Sequence, residues 1–386
     1  MSQSHIDKIR ILQILWDDDF GGVERHVLDL VMNLDRSVFS CEICILHNDG
    51  NRITKGLREN GIPIHCMNLK SGFDFLGALR FIKFVRRKGY DIIHSQVYPL
   101  WIQLAVGLLS GCINVVRSYG RDVLAAYTLR SILMNRISRF VTDGYIAPSE
   151  VQKRTMVNLY HIRPEKIHVV YHGIDFSRYR PPIQSERAEK RRELGIDEGD
   201  FAIGTVGRLA DQKNYPCFIR SALRIHKEMP NTKFFIVGCG KLEDRLRAMV
   251  HENGAEEYII LLGPRTDVPE LLRAWDVFLF TTWVESFGLV VLEAMANELP
   301  VVLTDSSSLP EVVGNTGILV KPDDDESFAK AVLALLKDED RRKKMAKEAN
   351  ERARSLFSMK RMIDKMSKIY KKLIADKTGD FITSQQ

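Results

Sequence analysis

Cysteine is scarce: six in 386 residues, too few to staple a secreted fold. Cys41 and Cys44 are spaced as CxxC, but they lie in Phe39 to Leu46, a run that reads as a strand. Alternation sends them to opposite faces, which argues against a redox pair or a metal clip. The N-terminus, MSQSHIDKIR, carries charges at Asp7, Lys8 and Arg10 with no long apolar centre behind them, so it does not read as a signal peptide, and a cytoplasmic protein is expected. Also missing are a Walker sequence, HExxH, GxSxG, any short-period repeat and any low-complexity tract. Of the acidic clusters, Asp17-Asp18-Asp19 reads as a loop and Asp323-Asp324-Asp325 as the cap of a following helix, so no metal site is expected.

Charge is missing altogether from Ile92 to Val116, a stretch long enough to cross a bilayer. His94, Gln96, Pro99, Gln103, Ser110-Gly111 and Asn114 interrupt it. It divides into the end of a strand, a helix near Leu100 to Leu109 and a strand near Ile113 to Val116, so a buried helix between strands is expected. What is abundant is the material of a globular protein, 45% hydrophobic and 27% charged residues. The length exceeds what one hydrophobic core organises and suggests two domains. The net charge of +6 is uneven: residues 1–180 hold 24 Lys+Arg against 17 Asp+Glu, the remainder 32 against 33, and residues 50–140 hold 14 against 4. Such an excess on one half points to an anionic partner.

Short apolar strands alternate with amphipathic helices throughout, the pattern of parallel βαβ units. Strands are expected at Ile9 to Leu15, Cys41 to Leu46, Pro63 to Met67, Asp91 to His94, Ile113 to Arg117, Gly144 to Ala147 and His168 to Val170. A polar stretch, Arg180-Pro181-Pro182 through the charge-rich Glu186 to Glu193, reads as an interdomain linker leading into a first helix. The pattern then restarts, with strands at Ala202 to Val206, Lys233 to Val237, Ile259 to Leu261, Val277 to Thr281, Val301 to Leu303 and Gly317 to Val320. The fold class is therefore α/β, with two doubly wound parallel-sheet domains over residues 1–182 and 183–357 and a helical tail over 358–386.

The sharpest motif is Glu285-Ser286-Phe287-Gly288-Leu289-Val290-Val291-Leu292-Glu293. It follows the strand Val277 to Thr281 and so lies at a strand's carboxyl end, where open α/β sheets bind ligands. The helix beginning near Gly288 is apolar nearly all round except for Glu293. A carboxylate in such a place must be paired or must serve a ligand, and the N–H groups of the helix start suit a phosphate. A nucleotide satisfies both, its ribose on Glu293 and Glu285 on whatever hangs from the phosphate. The competing reading is a Glu293 salt bridge to a core arginine and a surface Glu285. The second feature is Gly207-Arg208 with Lys213-Asn214, two cations leaving one strand end that can clamp a diphosphate or be ordinary surface residues. The third, Gly21-Gly22-Val23-Glu24-Arg25, opens a helix straight after the first strand but lacks the third glycine of a dinucleotide fingerprint, as does Gly238-Cys239-Gly240.

Taken in order, Gly21-Gly22-Val23-Glu24, Ala147-Pro148-Ser149-Glu150, Lys166 to Asp175 (KIHVVYHGID), Gly207-Arg208 with Lys213-Asn214, and Glu285 to Glu293 as E-x7-E resemble the retaining GT-B glycosyltransferases of the family 4 group, over roughly residues 9–375. The resemblance implies two Rossmann-like domains facing a cleft, residues 1–182 binding the acceptor and 183–357 a nucleotide-sugar, with a last helix near Met359 to Ala375 crossing back to the N-terminal domain. It implies that Arg208 and Lys213 hold the diphosphate, Glu293 the ribose, and Glu285 with the backbone of Phe287, Gly288 and Leu289 the donor sugar and phosphate, while Arg265 lies near the base. Arg208, Lys213 and Glu285 are then the catalytic candidates. Gly21, Gly22, Glu24, His94, Tyr119 and Arg121 are the candidates for an acceptor or phosphate loop. Where many members carry a histidine after the strand matching Ile113 to Arg117, this sequence has Tyr119, Arg121 and Asp122. Ser306-Ser307-Ser308-Leu309-Pro310-Glu311 replaces a more glycine-rich loop, and His172 an asparagine.

The expected activity is transfer of a sugar from a nucleoside diphosphate sugar to a hydroxyl acceptor, such as a lipid-linked or cell-surface polysaccharide precursor, with retention at the anomeric carbon and with no cofactor or metal. The rivals are a GT-B nucleotide-sugar epimerase and a catalytically inactive nucleotide-sugar-binding partner. The basic surplus includes Arg80, Lys83, Arg86, Arg87 and Lys88 on one helix, and Arg121, Arg130, Arg136 and Arg139 around another beside Leu124, Leu129, Ile132, Leu133 and Ile137. It suits an anionic membrane surface on the cytoplasmic side, with a solvated basic face as the plainer alternative. Nucleic acid is not expected, because the basic residues lack an aromatic stacking pattern.

Overall fold

The structure, a computed structural model, describes residues 8–17, 22–48, 54–70, 74–96, 100–117 and 128–379. Two units emerge: the chain up to Tyr171 together with Lys360 onwards, and His172–Met359. Unit 1 runs β1 (Ile9–Asp17), α1 (Gly22–Asn33), β2 (Phe39–Asn48), α2 (Thr54–Glu59), β3 (Ile64–Cys66), α3 (Phe75–Lys88), β4 (Ile92–Ser95), α4 (Leu100–Leu109), β5 (Ile113–Arg117), α5 (Leu129–Ser138), β6 (Gly144–Ala147), α6 (Glu150–Tyr160) and β7 (Ile167–Val169). The strands lie parallel in the order β3-β2-β1-β4-β5-β6-β7.

Period-two alternation builds this sheet's two faces. Leu12, Ile14, Cys44 and Leu46 pack with Phe81 and Val85 of α3 on one side. Leu15, Ile43 and Ile45 meet Val27 and Val31 of α1 on the other, with Cys41 against them. The two cysteines of the CxxC are thus on opposite faces, and both are free thiols. Burial pushes the Cys41 thiol up to about 12 and raises that of Cys44 as well. The uncharged stretch from Ile92 holds β4, α4 and β5 as expected, with Ile102 and Val106 of α4 buried. Among the described residues no helix is long and apolar enough to cross a membrane.

Unit 2 runs α7 (Gln184–Glu193), β8 (Phe201–Val206), α8 (Tyr215–Glu228), β9 (Thr232–Val237), α9 (Glu243–Glu252), β10 (Ile259–Gly263), α10 (Val268–Ala274), β11 (Val277–Phe280), α11 (Leu289–Ala296), β12 (Val301–Thr304), α12 (Leu309–Val313), β13 (Ile318–Val320), α13 (Asp325–Lys337) and α14 (Glu339–Leu356), with the sheet order β10-β9-β8-β11-β12-β13. The division falls earlier than Pro182, because unit 2 holds the segment beyond Tyr171: Ile174 bridges to Ser358, and its N–H donates to the Phe357 carbonyl at 2.9 Å. The last helix, α15 (Met359–Thr378), folds onto unit 1, burying Met366, Tyr370 and Leu373.

The charge-rich stretch after Pro182 is α7, a helix that buries no residue. Guanidinium groups hold it instead. Arg187 donates to the carbonyls of Arg273 (2.6 Å) and Trp275 (2.8 Å), and Arg191 to that of Ala274 (3.0 Å), so two cations sit on the negative carbonyl end of α10. Both also grip the Asp276 carboxylate, at 2.6 and 3.0 Å. The Asp323-Asp324-Asp325 cluster is likewise engaged. Asp324 caps α13 through the Ser327 N–H, while Asp323 and Asp325 pair with Arg220.

Candidate active site

In unit 2 the direction of chain progress reverses between the neighbouring strands β8 and β11. Loops leaving the carboxyl ends of two such strands diverge, which is where open α/β sheets accommodate ligands. Gly207 and Arg208 follow β8, Gly238-Cys239-Gly240 follows β9, residues 281–288 follow β11 and Ser306 to Ser308 lie just past β12.

Lys213 closes a 3-10 turn over Asp211–Lys213. Its stem passes over Gly207, where a Cβ would sit 3.7 Å from Lys213 Cε. Its ammonium pairs with the Glu285 carboxylate and lies 4.9 Å over the Phe280 ring. Glu285 also accepts from the Ser286 N–H at 3.0 Å, and its Cγ is 3.6 Å from where a Gly288 Cβ would be. The cation and carboxylate assigned to two parts of one ligand therefore meet across the β8/β11 boundary. With side chains only 17% and 13% exposed, each compensates a charge that would be costly alone. Arg208 is exposed and lies two residues past the end of β8.

The Glu285 loop is fixed from both flanks. From the β8 side, the Trp283 N–H donates to the Gln212 carbonyl at 2.9 Å, and Gln212 Nε2 donates to the Val284 carbonyl at 2.8 Å. From the β12 side, Ser306 Oγ donates to the Trp283 carbonyl at 2.7 Å and Ser308 Oγ to the Glu285 carbonyl at 2.9 Å. The serines that replace glycines are thus struts. Two glycines are steric requirements here. Gly238 has φ +136°, and a Cβ there would collide with the Gly207 carbonyl. Gly288 begins α11 at φ +92°, with Leu309 Cδ2 2.9 Å from a Cβ position. The Leu289 and Val290 backbones form the first turn of α11, whereas the Phe287 ring is core, 4.9 Å from His172 and 5.8 Å from Phe357.

Glu293 lies half-buried on α11, and its Oε1 accepts from the Tyr179 hydroxyl at 2.8 Å. Tyr215 donates to the Gly207 carbonyl at 2.8 Å. Burial, and then the Glu285 charge, raise its pKa, so it stays a donor.

Arg265, expected near the base, is engaged by carboxylates of its own unit. Its guanidinium straddles Asp267 at 2.7 and 2.6 Å and reaches Glu193 at 2.8 Å, with Lys190 on the same Asp267 at 2.9 Å. The Arg265 bonds hold the Asp267 carboxyl well below the usual carboxylate range, more than offsetting partial burial. Arg265 is thus a brace between α7 and the turn after β10.

His94 counts among the acceptor or phosphate-loop candidates although it ends an expected strand. It lies inside β4 with 0% exposure, and its Nδ1 shares a 2.6 Å hydrogen bond with the Tyr370 hydroxyl, which accepts another from Gln13 Nε2 at 3.1 Å. Gly22 and Glu24 fall in the first turn of α1. Gly21, Tyr119, Arg121 and Asp122 lie outside the described residues. Sequence reasoning missed Gln212, Ser308 and Tyr179. Tyr179 reaches its partner across 114 residues, and the only local hint for the serines was hydroxyls where glycine is commoner.

Residues 20–178 match the family described as Glycosyltransferase Family 4, and residues 186–352 that described as Glycosyl transferases group 1. The UDP-Gal:alpha-D-GlcNAc-diphosphoundecaprenol alpha-1,3-galactosyltransferase of Escherichia coli is 25% identical, with 98% of this chain and 100% of that protein covered. The D-inositol 3-phosphate glycosyltransferase of Corynebacterium kroppenstedtii is 31% identical, with 83% and 74% covered. Of solved structures, HepE from Anabaena in complex with UDP and glucose is similar with a TM-score of 0.82 at 20% identity, over 94% of this chain and 99% of that one.

Proposed function

The chain belongs to the family 4 group of glycosyltransferases, with the GT-B fold, and on that premise we propose that unit 2 holds a nucleoside diphosphate sugar whose sugar passes, with retention at the anomeric carbon and without metal or cofactor, to a hydroxyl of a lipid-linked acceptor met by unit 1 at the cytoplasmic face of a membrane. The observation that carries the reading is the Lys213–Glu285 pair at the β8/β11 boundary, with Arg208 on the same segment after β8. An arriving diphosphate takes Glu285's place on Lys213, and the released carboxylate turns to the sugar hydroxyls. Until then neither charge is left uncompensated. Arg208 adds a planar fork for phosphate oxygens, and the first turn of α11 adds backbone N–H groups.

As the bond from the anomeric carbon to the diphosphate oxygen breaks, negative charge builds on the leaving group. Stabilising that charge with fixed cations is the step to which this arrangement is suited. The acceptor oxygen bonds to the same carbon from the face the diphosphate leaves, and its proton passes to a leaving phosphate oxygen. Glu285, turned to the sugar hydroxyls and accepting from the Ser286 N–H, is then not the nucleophile of a covalent intermediate, which favours this route. A UDP-sugar is supported by the complexes of HepE with UDP and with UDP-glucose, and a polyprenyl-diphosphate acceptor by the name of the Escherichia coli relative.

The test is transfer from radiolabelled UDP-glucose, UDP-galactose and GDP-mannose to polyprenyl diphosphate sugars, with product anomers assigned by NMR and EDTA added in parallel. Near-normal transfer by both Arg208→Ala and Glu285→Ala sinks the site assignment. An epimerised donor without acceptor product identifies an epimerase, and donor binding without turnover an inactive partner.

A further inference from the structure

Unit 2 covers its aromatic rings with one exception. Every other Phe, Tyr and Trp between His172 and Met359 is buried or half-buried, whereas Trp283 is 41% exposed and lies two residues before Glu285 in the loop after β11. The peptide that presents it is fixed from both sides. Its N–H donates to the Gln212 carbonyl at 2.9 Å and its carbonyl accepts from Ser306 Oγ at 2.7 Å. Thr282, next to it, is wholly buried, with its hydroxyl on the same Gln212 carbonyl at 2.9 Å. A single exposed ring on a loose loop would mark nothing. An indole on a locked backbone is a large rigid contact area that a ligand meets at little cost in conformational entropy.

The segment Asp305-Ser306-Ser307 borders this ring's backbone. Ser306 Oγ joins the two segments, since it also lies 3.3 Å from Ser307 Oγ. Ser307 has φ +55°, a left-handed conformation that costs a non-glycine residue free energy, and such strain concentrates at binding sites. Asp305 is exposed, and its carboxylate has no hydrogen-bond or ion-pair partner among the described residues. The chemistry of these groups selects the occupant. The negative face of an indole suits polarised C–H groups, a carboxylate and a hydroxyl suit hydroxyl donors, and the carboxylate repels phosphate. An uncharged ring with an apolar face and a rim of hydroxyls, a pyranose, uses all three. Depth separates this place from the donor's, because the Lys213 and Glu285 side chains are largely covered while the indole stands outside them. We propose that Trp283, with Asp305 and Ser307, is an outer subsite for a sugar ring of the acceptor, so that the acceptor carries a glycan and is not a bare lipid phosphate. The proposal deepens the function proposed above and rests on it for the identity of the substrate that brings the ring.

The experiment is saturation-transfer NMR on the full chain with UDP or GDP present, using the methyl glycosides of glucose, galactose, mannose and N-acetylglucosamine. At least one glycoside is expected to bind, Trp283→Ala to abolish its signal and Asp305→Asn to weaken its binding about fivefold. Trp283→Phe keeps a ring in the partly covered position and is expected to keep the signal, which separates lost stacking from lost packing. In transfer to polyprenyl diphosphate sugars, Trp283→Ala is expected to raise the acceptor KM about tenfold while the donor KM stays within about twofold. No glycoside binding, or binding indifferent to Trp283→Ala, overturns the proposal. So does a loss of about tenfold in the affinity for UDP or UDP-glucose in Trp283→Ala, measured by calorimetry, which gives the ring to the base or to the donor sugar. Glycoside binding that depends on Trp283 while no donor supports transfer refutes the proposed transfer and leaves the subsite standing. Transfer with an acceptor KM unmoved by Trp283→Ala refutes the subsite and leaves the transfer standing.

Discussion

Both sheets reverse their strand order once, at β1/β4 in unit 1 and at β8/β11 in unit 2, and they use polar side chains there in opposite ways. In unit 1, Gln13 and His94 are register neighbours in mid-strand, wholly buried and joined through the Tyr370 hydroxyl of the last helix. In unit 2 the only polar residues in the described strands are Thr205, Thr232, Thr304 and Lys233, with no amide or imidazole among them, and the charged pair sits beyond the strand ends, where Lys213 and Glu285 compensate each other at a rim. Depth decides the role. A polar group inside a parallel strand is committed to an internal partner, since leaving it unpaired is costly, while an ion pair past the strand end can exchange its partner for a ligand.

The comparison breaks most visibly if the unit 2 groups are dispensable. Arg208→Ala and Lys213→Ala are each expected to lower kcat/KM by about a hundredfold to a thousandfold, the exposed Arg208 with little loss of stability and Lys213 with some, because Glu285 is left uncompensated, read by radiolabel transfer alongside thermal unfolding. Unit 1 should respond in the reverse sense. Tyr370→Phe removes the hydroxyl shared by His94 and Gln13, and is expected to cost about 1–3 kcal/mol in urea unfolding while sparing donor binding.

Arg265 sharpens the distinction within unit 2. Arg265→Ala is expected to cost about 1 kcal/mol near neutral pH, as a partly exposed ion-pair network does. The folded-state pKa of Asp267 is depressed, so this stability is fully present above the unfolded carboxylate value and is lost as pH falls through the folded one. The gap between wild type and variant should therefore close progressively below about pH 4. A pH-independent gap, or a tenfold rise in donor KM, would return Arg265 to the nucleotide. The smallest effect is a matter of labelling rate. Iodoacetamide should modify the exposed Cys239 first and leave Cys41 and Cys44 intact, and the preferred nucleoside diphosphate should slow the Cys239 reaction.

The strands were legible because each is a short apolar run bounded by turn residues, and the thirteen observed strands lie on the runs that announced them. The candidate site was legible as local motifs: E-x7-E, running from the loop after β11 into α11, and two cations after β8. Its wiring was not. The Lys213–Glu285 and Gln212–Val284 bonds each join residues 72 apart, and nothing in either segment names the other. His94 was placed in its strand by the sequence, but its bonding was not legible there. Ile92 and Ile93 already mark a strand buried on both faces, and its partner Tyr370 lies 276 residues away. The contacts of Arg265 were hidden for a similar reason, since Glu193, far back on α7, takes part of its guanidinium.

The bridge between Ile174 and Ser358, with the Met359 N–H returning to the Ile174 carbonyl at 3.3 Å, brings the two ends of unit 2 together. In covalent terms unit 2 is a cassette inserted into unit 1 through a single doorway. Such a cassette can be exchanged for that of a relative with a different donor by cutting at two adjacent points, and its own termini can be tied into a ring without lengthening the chain.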